Sequence, residues 1–329
     1  MKNSVIYLTR KCPRKCLYCK IRDDKYVGKE LTTEQWIKAF SILKDLKVEF
    51  NLILGNEPWL LGESLIPILG NGIPYALYTS GIMKLFCKHE KLFSKGLNNL
   101  SIGIDYPRYL ISSVVELQDD SYKKSVDAWK IISYVRKHYP HVQVHATTTI
   151  HSKNYRLLPL LISQLTEIGV YSNLNFIHWD KDGKYDFFPS ENEIKELLIK
   201  EEEYPAVTES IHRVKSSPGL LQNLEMFEKD IPSLIRMEWH CKGNPYGGPT
   251  VDADGTLRVC GYRKGEYTSK MTIFDLPEYI DHWEEAVYQD AMNCPGCSWS
   301  CSWMYHYWMK TNPNIGSQVF EKHFINRKK

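Results

Sequence analysis

Short apolar runs alternate with longer stretches in which apolar residues recur at helical spacing. The runs at 5–8, 50–54, 75–78, 100–105, 142–150 and 172–179 have the length of strands. Between them lie helix-like segments. The first is capped by Thr32 or Thr33 and carries Trp36, Phe40, Leu43 and Leu46 on one face. A helical segment at 60–69 is disturbed by Pro67, and another helix spans 83–94. A long helix over 121–138 presents Val126, Trp129, Ile132 and Val135, and a helix over 155–168 stops at Gly169. The strands are not joined by hairpin turns, so the alternation predicts a parallel sheet with helices outside it. Polar or glycine-bearing segments follow the strands at 12–19, 55–58, 79–81, 105, 147–149 and 180. In a parallel barrel such positions surround one mouth.

After residue 180 the pattern changes. The stretch 181–238 is charged and reads as a helical connector covering the barrel. It includes an acidic amphipathic helix over 191–203, whose Glu201, Glu202 and Glu203 form a solvated face. From Trp239 the chain is richer in glycine. Asp254-Gly255 between two β-prone runs predicts a hairpin over 250–260, with Cys260 ending its second strand. A helix at 277–291 follows. The predicted division is 1–180, 181–238 and 239–329.

Composition narrows the class of protein. The 329 residues are 43% hydrophobic and 25% charged, as in an ordinary globular chain. A net charge of +3 gives no basic field for nucleic acid. No stretch approaches ~20 apolar residues, so no membrane span is expected. No export signal precedes the first strand, which points to the cytoplasm. Nine cysteines without an export signal argue for metal sites rather than disulfides. They fall at 12, 16 and 19, at 87, and at 241, 260, 294, 297 and 301. Cys87 stands alone and reads as a small buried hydrophobe. His178 and His240 read as packing or surface residues.

Cys12, Cys16 and Cys19 lie on a loop straight after the first apolar run. Iron–sulfur clusters are normally held by four thiolates. Three thiolates would leave one iron of a four-iron cluster open to a small molecule. Structural zinc also prefers four ligands, and no fourth is adjacent.

This loop, with Tyr18 before its last cysteine, resembles the signature of the radical S-adenosylmethionine (SAM) enzymes. The resemblance implies a partial (β/α)6 TIM-like barrel. It implies that Cys12, Cys16 and Cys19 hold a 4Fe-4S cluster, and that SAM binds its open iron and is cleaved to a 5′-deoxyadenosyl radical. Gly55-Asn56-Glu57-Pro58 is similar to the family's G-G-E-P segment, with Asn56 in place of a glycine. Thr79-Ser80-Gly81 is similar to its T-N-G segment. Asp105 falls where polar groups often contact the ribose, although the serine often found two residues earlier is Gly103 here. Thr147, Thr149 and Asn175 are SAM-contact candidates by position.

The C-terminal cysteines resemble a SPASM domain, and more closely its truncated twitch form, which holds one auxiliary 4Fe-4S cluster. The most economical ligand set is Cys241, Cys260, Cys294 and Cys297. Alternatively, Cys301 is a ligand and Cys294 or Cys297 is free. A spare thiol, Cys301 or Cys87, facing the mouth would return a hydrogen atom to a substrate radical. The aromatic residues Trp299, Trp303, Tyr305, Tyr307 and Trp308 would wall a substrate or form a packed helix face. The resemblance implies modification of a ribosomally made peptide (epimerisation, crosslink or thioether) or dehydrogenation of a small molecule of the sugar or aminocyclitol type. No leader-recognition domain is expected ahead of the first strand, so a separate recognition protein would serve a peptide substrate. A flavodoxin or ferredoxin would deliver the electron. The alternative of another class is a zinc-binding module without enzymatic activity.

Overall fold

The computed structural model describes residues 3–20, 28–97, 99–108, 120–180, 183, 185, 188–214, 231–241, 247–261 and 263–298. Six parallel strands follow the predicted order: β1 (Asn3–Tyr7), β2 (Phe50–Leu54), β3 (Tyr75–Thr79), β4 (Asn99–Gly103), β5 (Gln143–Ile150) and β6 (Tyr171–Phe176). Each pairs with its sequence neighbour, and β1 and β6 do not meet, so the barrel is open. The C-terminal hairpin continues the same sheet. β7 (Thr250–Val251) pairs in parallel with β1, and β8 (Leu257–Arg258) runs antiparallel to β7.

The helices are α1 (Thr33–Asp45), α2 (Leu65–Leu69), α3 (Met83–His89), α4 (Asp120–His138), α5 (Leu158–Glu167), α6 (Glu191–Ile194), α7 (Tyr204–Val214), α8 (Ile231–Ile235) and α9 (Ile280–Met292). α1 begins in a capping box: Thr32 Oγ1 accepts from the Gln35 amide, and Gln35 Oε1 accepts from the Thr32 amide. The alternation along β1 shows how the core is split. Ile6 and Leu8 pack outward with Trp36, Phe40 and Trp129, while Val5 and Tyr7 pack on the opposite face with Ile177 and Trp179.

Three local expectations change. The single helix over 191–203 is instead α6, a non-helical stretch and a 3-10 turn at Glu201–Glu203. The carbonyls of Glu196 and Leu197 accept from Ser152, and Glu203 is drawn to the Lys200 amide as a new cap, so the helix is interrupted. Glu203 also leaves the solvated face, because it accepts from the Tyr155 hydroxyl at 3.2 Å. Cys87 is exposed, not buried: on α3 the buried position is the adjacent Phe86. On α4, Val126 is only half-buried, and the buried face runs through Lys124, Ser125, Ala128, Ile131 and Ile132. Among the described residues, no helix is long and apolar enough to cross a membrane.

Candidate functional site

The loop after β1 is tied down from several sides before any metal is considered. The Thr9 hydroxyl and the Arg10 amide both donate to Glu30, at 2.8 and 2.9 Å. Arg14 donates to the Gly81 carbonyl and to Asp127 of α4, each at 2.8 Å, and the Lys15 amide donates to Asp120. The Cys19 amide closes a tight turn onto the Cys16 carbonyl at 3.0 Å. Cys16 is buried, and Cys12 and Cys19 are half-buried. Burial pushes the Cys12 thiol up to about 11 and the Cys16 thiol up to about 12. Charge on Cys19 adds to the Cys12 shift, and charge on Cys12 adds to the Cys16 shift, so Cys12 lies within the field of both other sulfurs.

The segment after β2 stands under this loop. Gly55 has φ 149°, and a Cβ there would meet the Thr9 carbonyl at 3.0 Å. The Asn56 amide donates to the Thr9 carbonyl at 3.0 Å, and its side chain donates to the Arg10 carbonyl. That tether gives the residue at the family's second glycine a part of its own. Glu57 is fully buried. Its carboxylate accepts from the Thr79 hydroxyl at 2.8 Å, from the Ser80 amide at 2.9 Å, from the Ser80 hydroxyl and from the Trp59 amide at 3.2 Å. Burial raises the Glu57 pKa, and these hydrogen bonds oppose the shift. The Ser80 side chain also acts on Cys12, opposing the upward shift of its thiol. Pro58 is buried at the start of a 3-10 turn. Thus Glu57 joins the ends of β2 and β3 beneath the first cysteine.

A second buried group lies beside Cys16. Asp105 accepts from the Tyr18 hydroxyl at 2.6 Å and from the Thr149 amide at 2.9 Å, and its Oδ2 pairs with Lys124 Nζ at 2.6 Å. Lys124 also donates to the Tyr18 hydroxyl and stands 5.1 Å from the centre of its ring. A Cβ on Gly103 would sit 3.3 Å from Lys124 Nζ. The lysine stem thus occupies the space that a larger residue at 103 would need. Thr147 shares its hydroxyl with Ser101 at 3.1 Å. Asn175 is half-buried on β6, in register with Thr149.

The C-terminal cysteines gather around Tyr185. This buried phenol lies 3.8 Å from Cys294 Sγ and donates to the Gly296 carbonyl. Burial first, then charge on Cys294, Cys297 and Cys260, drives its ionisation far above the ordinary range. The Cys297 amide donates to the Trp239 carbonyl at 2.9 Å, and the His240 ring lies 3.0 Å from the Cys294 carbonyl, which brings Cys241 to the same edge. Cys301 and the aromatic residues from Trp299 onward lie outside the described residues. His178, on the mouth side of β6, contacts Ser298, and burial lowers its pKa to about 4.

Among the described residues, no three Cys, His, Asp or Glu side chains close to the spacing of a single metal ion. Both cysteine sets are thiol-only and fit soft metal chemistry of the iron–sulfur kind, in which thiolates are spread around a multi-atom core. A cavity of about 860 Å³ lies at the other end of the barrel, lined by Tyr75, Asn99, Gln143, His145 and Tyr171, away from both sets.

Residues missed in the sequence include Lys124, Asp127, Tyr185 and the buried ions Arg10, Asp252 and Arg258. For α4 a signal exists: Asp120, Lys124 and Asp127 recur at helical spacing beside its apolar positions. The others come from segments far apart in the chain and carried no local signal.

Comparison with known proteins bears on the fold. Residues 6–155 match the family model of the radical SAM superfamily. The whole fold resembles native anSMEcpe with bound AdoMet and Cp18Cys peptide. That match has a TM-score of 0.56 and 14% identity, and covers 97% of this chain and 100% of that one. Native anSMEcpe with bound AdoMet matches with a TM-score of 0.54 and 13% identity, over 96% and 99% of the two chains. At these identities the likeness is one of fold.

Proposed function

We propose that the protein is a radical SAM enzyme that modifies a ribosomally made peptide. Cys12, Cys16 and Cys19 would hold a 4Fe-4S cluster, and Cys241, Cys260, Cys294 and Cys297 an auxiliary one. The observation that carries the reading is the seat of the Cys12–Cys19 loop: Glu57 fastens the ends of β2 and β3 under Cys12, while Lys124 and Asp105 flank Cys16. When bound, the first cluster would supply the electron for reductive cleavage of SAM, the chemistry that would start hydrogen abstraction from the substrate. The chain's own residues shape the mouth and exclude water. Backbone and hydroxyl groups at 55–58 and 79–81, with Thr147 and Asn175, line the space offered to SAM. The peptide reading draws on anSMEcpe, which binds a peptide together with AdoMet. A flavodoxin or ferredoxin would be the electron donor, and a separate recognition protein would present the peptide.

The test uses anaerobically reconstituted full-length protein. About eight irons per chain are expected, falling by about four in the C12A/C16A/C19A variant. With reductant and SAM, the wild type should form 5′-deoxyadenosine, and a peptide encoded beside the gene should raise the yield. Zinc without iron, or no SAM cleavage by iron-loaded protein, would sink the reading. Stimulation by a sugar or aminocyclitol instead would replace the peptide with a small molecule.

A further inference from the structure

Tyr7 ends β1, the strand that delivers the Cys12–Cys19 loop. It is buried, and among the described residues its hydroxyl has no hydrogen-bond partner. A buried, unsatisfied hydroxyl is costly and calls for an explanation. Its surroundings are well defined. The Arg10 guanidinium lies over the ring, 3.9 Å from its centre. The hydroxyl is pressed against the backbone at Gly261, where a Cβ would fall 1.8 Å from it. Beyond lie Cys260, Arg258 and Asp252, whose charges all act on the phenol, although burial has the largest effect on it.

These neighbours leave little choice of acceptor. Arg10 and Arg258 are donors only. Asp252 is held by Arg10 Nε and Arg258 Nη1, each at 2.5 Å, and by the Ala253 amide at 2.7 Å. The Gly261 and Cys260 carbonyls already accept from Arg10 and Arg258, at 3.4 and 3.3 Å, so among the described residues the neighbouring acceptor left is the Cys260 sulfur or the group it holds. The two buried guanidiniums that share Asp252 sit two residues before Cys12 and two before Cys260. Both are placed to favour added negative charge at the Cys260 site.

We propose that the Tyr7 hydroxyl donates a hydrogen bond to the auxiliary iron–sulfur cluster at Cys260 and, over the Arg10–Asp252–Arg258 group, raises its reduction potential. Hydrogen bonds to cluster sulfurs are one of the protein's levers on that potential. Tyr7 is here a positioning residue. The inference rests on the auxiliary-cluster reading above.

The experiment is a redox titration of reconstituted full-length protein, followed by electron paramagnetic resonance, for wild type and Tyr7→Phe. Tyr7→Phe keeps the ring and its contact with Arg10. Both proteins should load about eight irons. In the variant the auxiliary cluster should become harder to reduce, by about three- to tenfold in the reduction equilibrium. The cluster on the Cys12–Cys19 loop should keep its potential. An exchangeable-proton coupling to the reduced auxiliary cluster should also disappear. If Tyr7→Phe loads poorly, Gly261→Ala, which displaces the hydroxyl, should give the same drop. An unchanged potential and coupling at full iron content overturns the role of Tyr7. A wild type with only about four irons, all lost in C12A/C16A/C19A, overturns the auxiliary-cluster reading itself, and this inference with it.

Discussion

Glu57 and Asp252 show how much of the site depends on single buried carboxylates. Glu57 is the shared acceptor for the Thr79, Ser80 and Trp59 donors, so Glu57→Ala strands several buried groups at once. The expected loss is about 2–4 kcal/mol of stability, read from chemical denaturation, together with weaker SAM binding in the loaded protein. Asp252 balances two buried arginines. Burial alone would raise its pKa, but the guanidiniums of Arg10 and Arg258 outweigh that and hold the carboxyl below its ordinary value. The folded state therefore binds fewer protons than the unfolded chain across that interval. This stabilisation should be complete above about pH 3.9 and fade as the pH falls through the lowered folded value. Asp252→Asn should cost about 3–5 kcal/mol near neutral pH, because it leaves arginine charge uncompensated. The gap between wild type and variant should narrow in acid, and denaturation curves of the metal-free chain at a series of pH values would show it.

α4 carries two faces with different duties. Ala128, Ile131, Ile132 and Val135 pack on the sheet, while Asp120, Lys124 and Asp127 reach the cysteine loop. Lys124 is accommodated because Gly103 has no side chain. Gly103→Ser should therefore push the lysine from Asp105 and cost about 1–3 kcal/mol in a thermal or denaturant melt. Lys124→Met tests the same contact from the other side. It leaves Asp105 buried with only neutral donors and should cost about 3–5 kcal/mol. A Gly103→Ser protein as stable as wild type would show that the lysine has room to move. The broken helix at 191–203 has the opposite origin. Its sequence pattern is helical, yet distant donors at Ser152 take the carbonyls of Glu196 and Leu197. Tertiary hydrogen bonds outweigh a weak local preference there.

At the level of the whole molecule, the C-terminal hairpin is built into the barrel sheet. Val251 and Leu257 are fully buried in the same core as Ile6 and Trp36. The Leu31 amide donates to the Ala253 carbonyl at 2.8 Å, and Arg10 pairs with Asp252. Val251→Ala should therefore lower the stability of the barrel itself by about 1–3 kcal/mol, measured as a shift of the unfolding transition reported by barrel tryptophans. A barrel signal untouched by this change would mean that the hairpin unfolds on its own.

The sequence alone determined the order of the strands, the loop that bears Cys12, Cys16 and Cys19, and the turn residues at 55–58 and 79–81. Each of these is written in neighbouring residues, as alternation, spacing or a glycine–proline break. Only the tertiary structure decided that the hairpin pairs with β1, that Cys87 points to solvent beside a buried Phe86, and that Lys124 fills the space at Gly103. It also decided that Tyr7 lies between Arg10 and the backbone at Gly261. These are contacts between segments up to some 250 residues apart, as Arg10 and Gly261 are. Local spacing carries no record of them, because they are set by which faces of the strands and helices must be buried together.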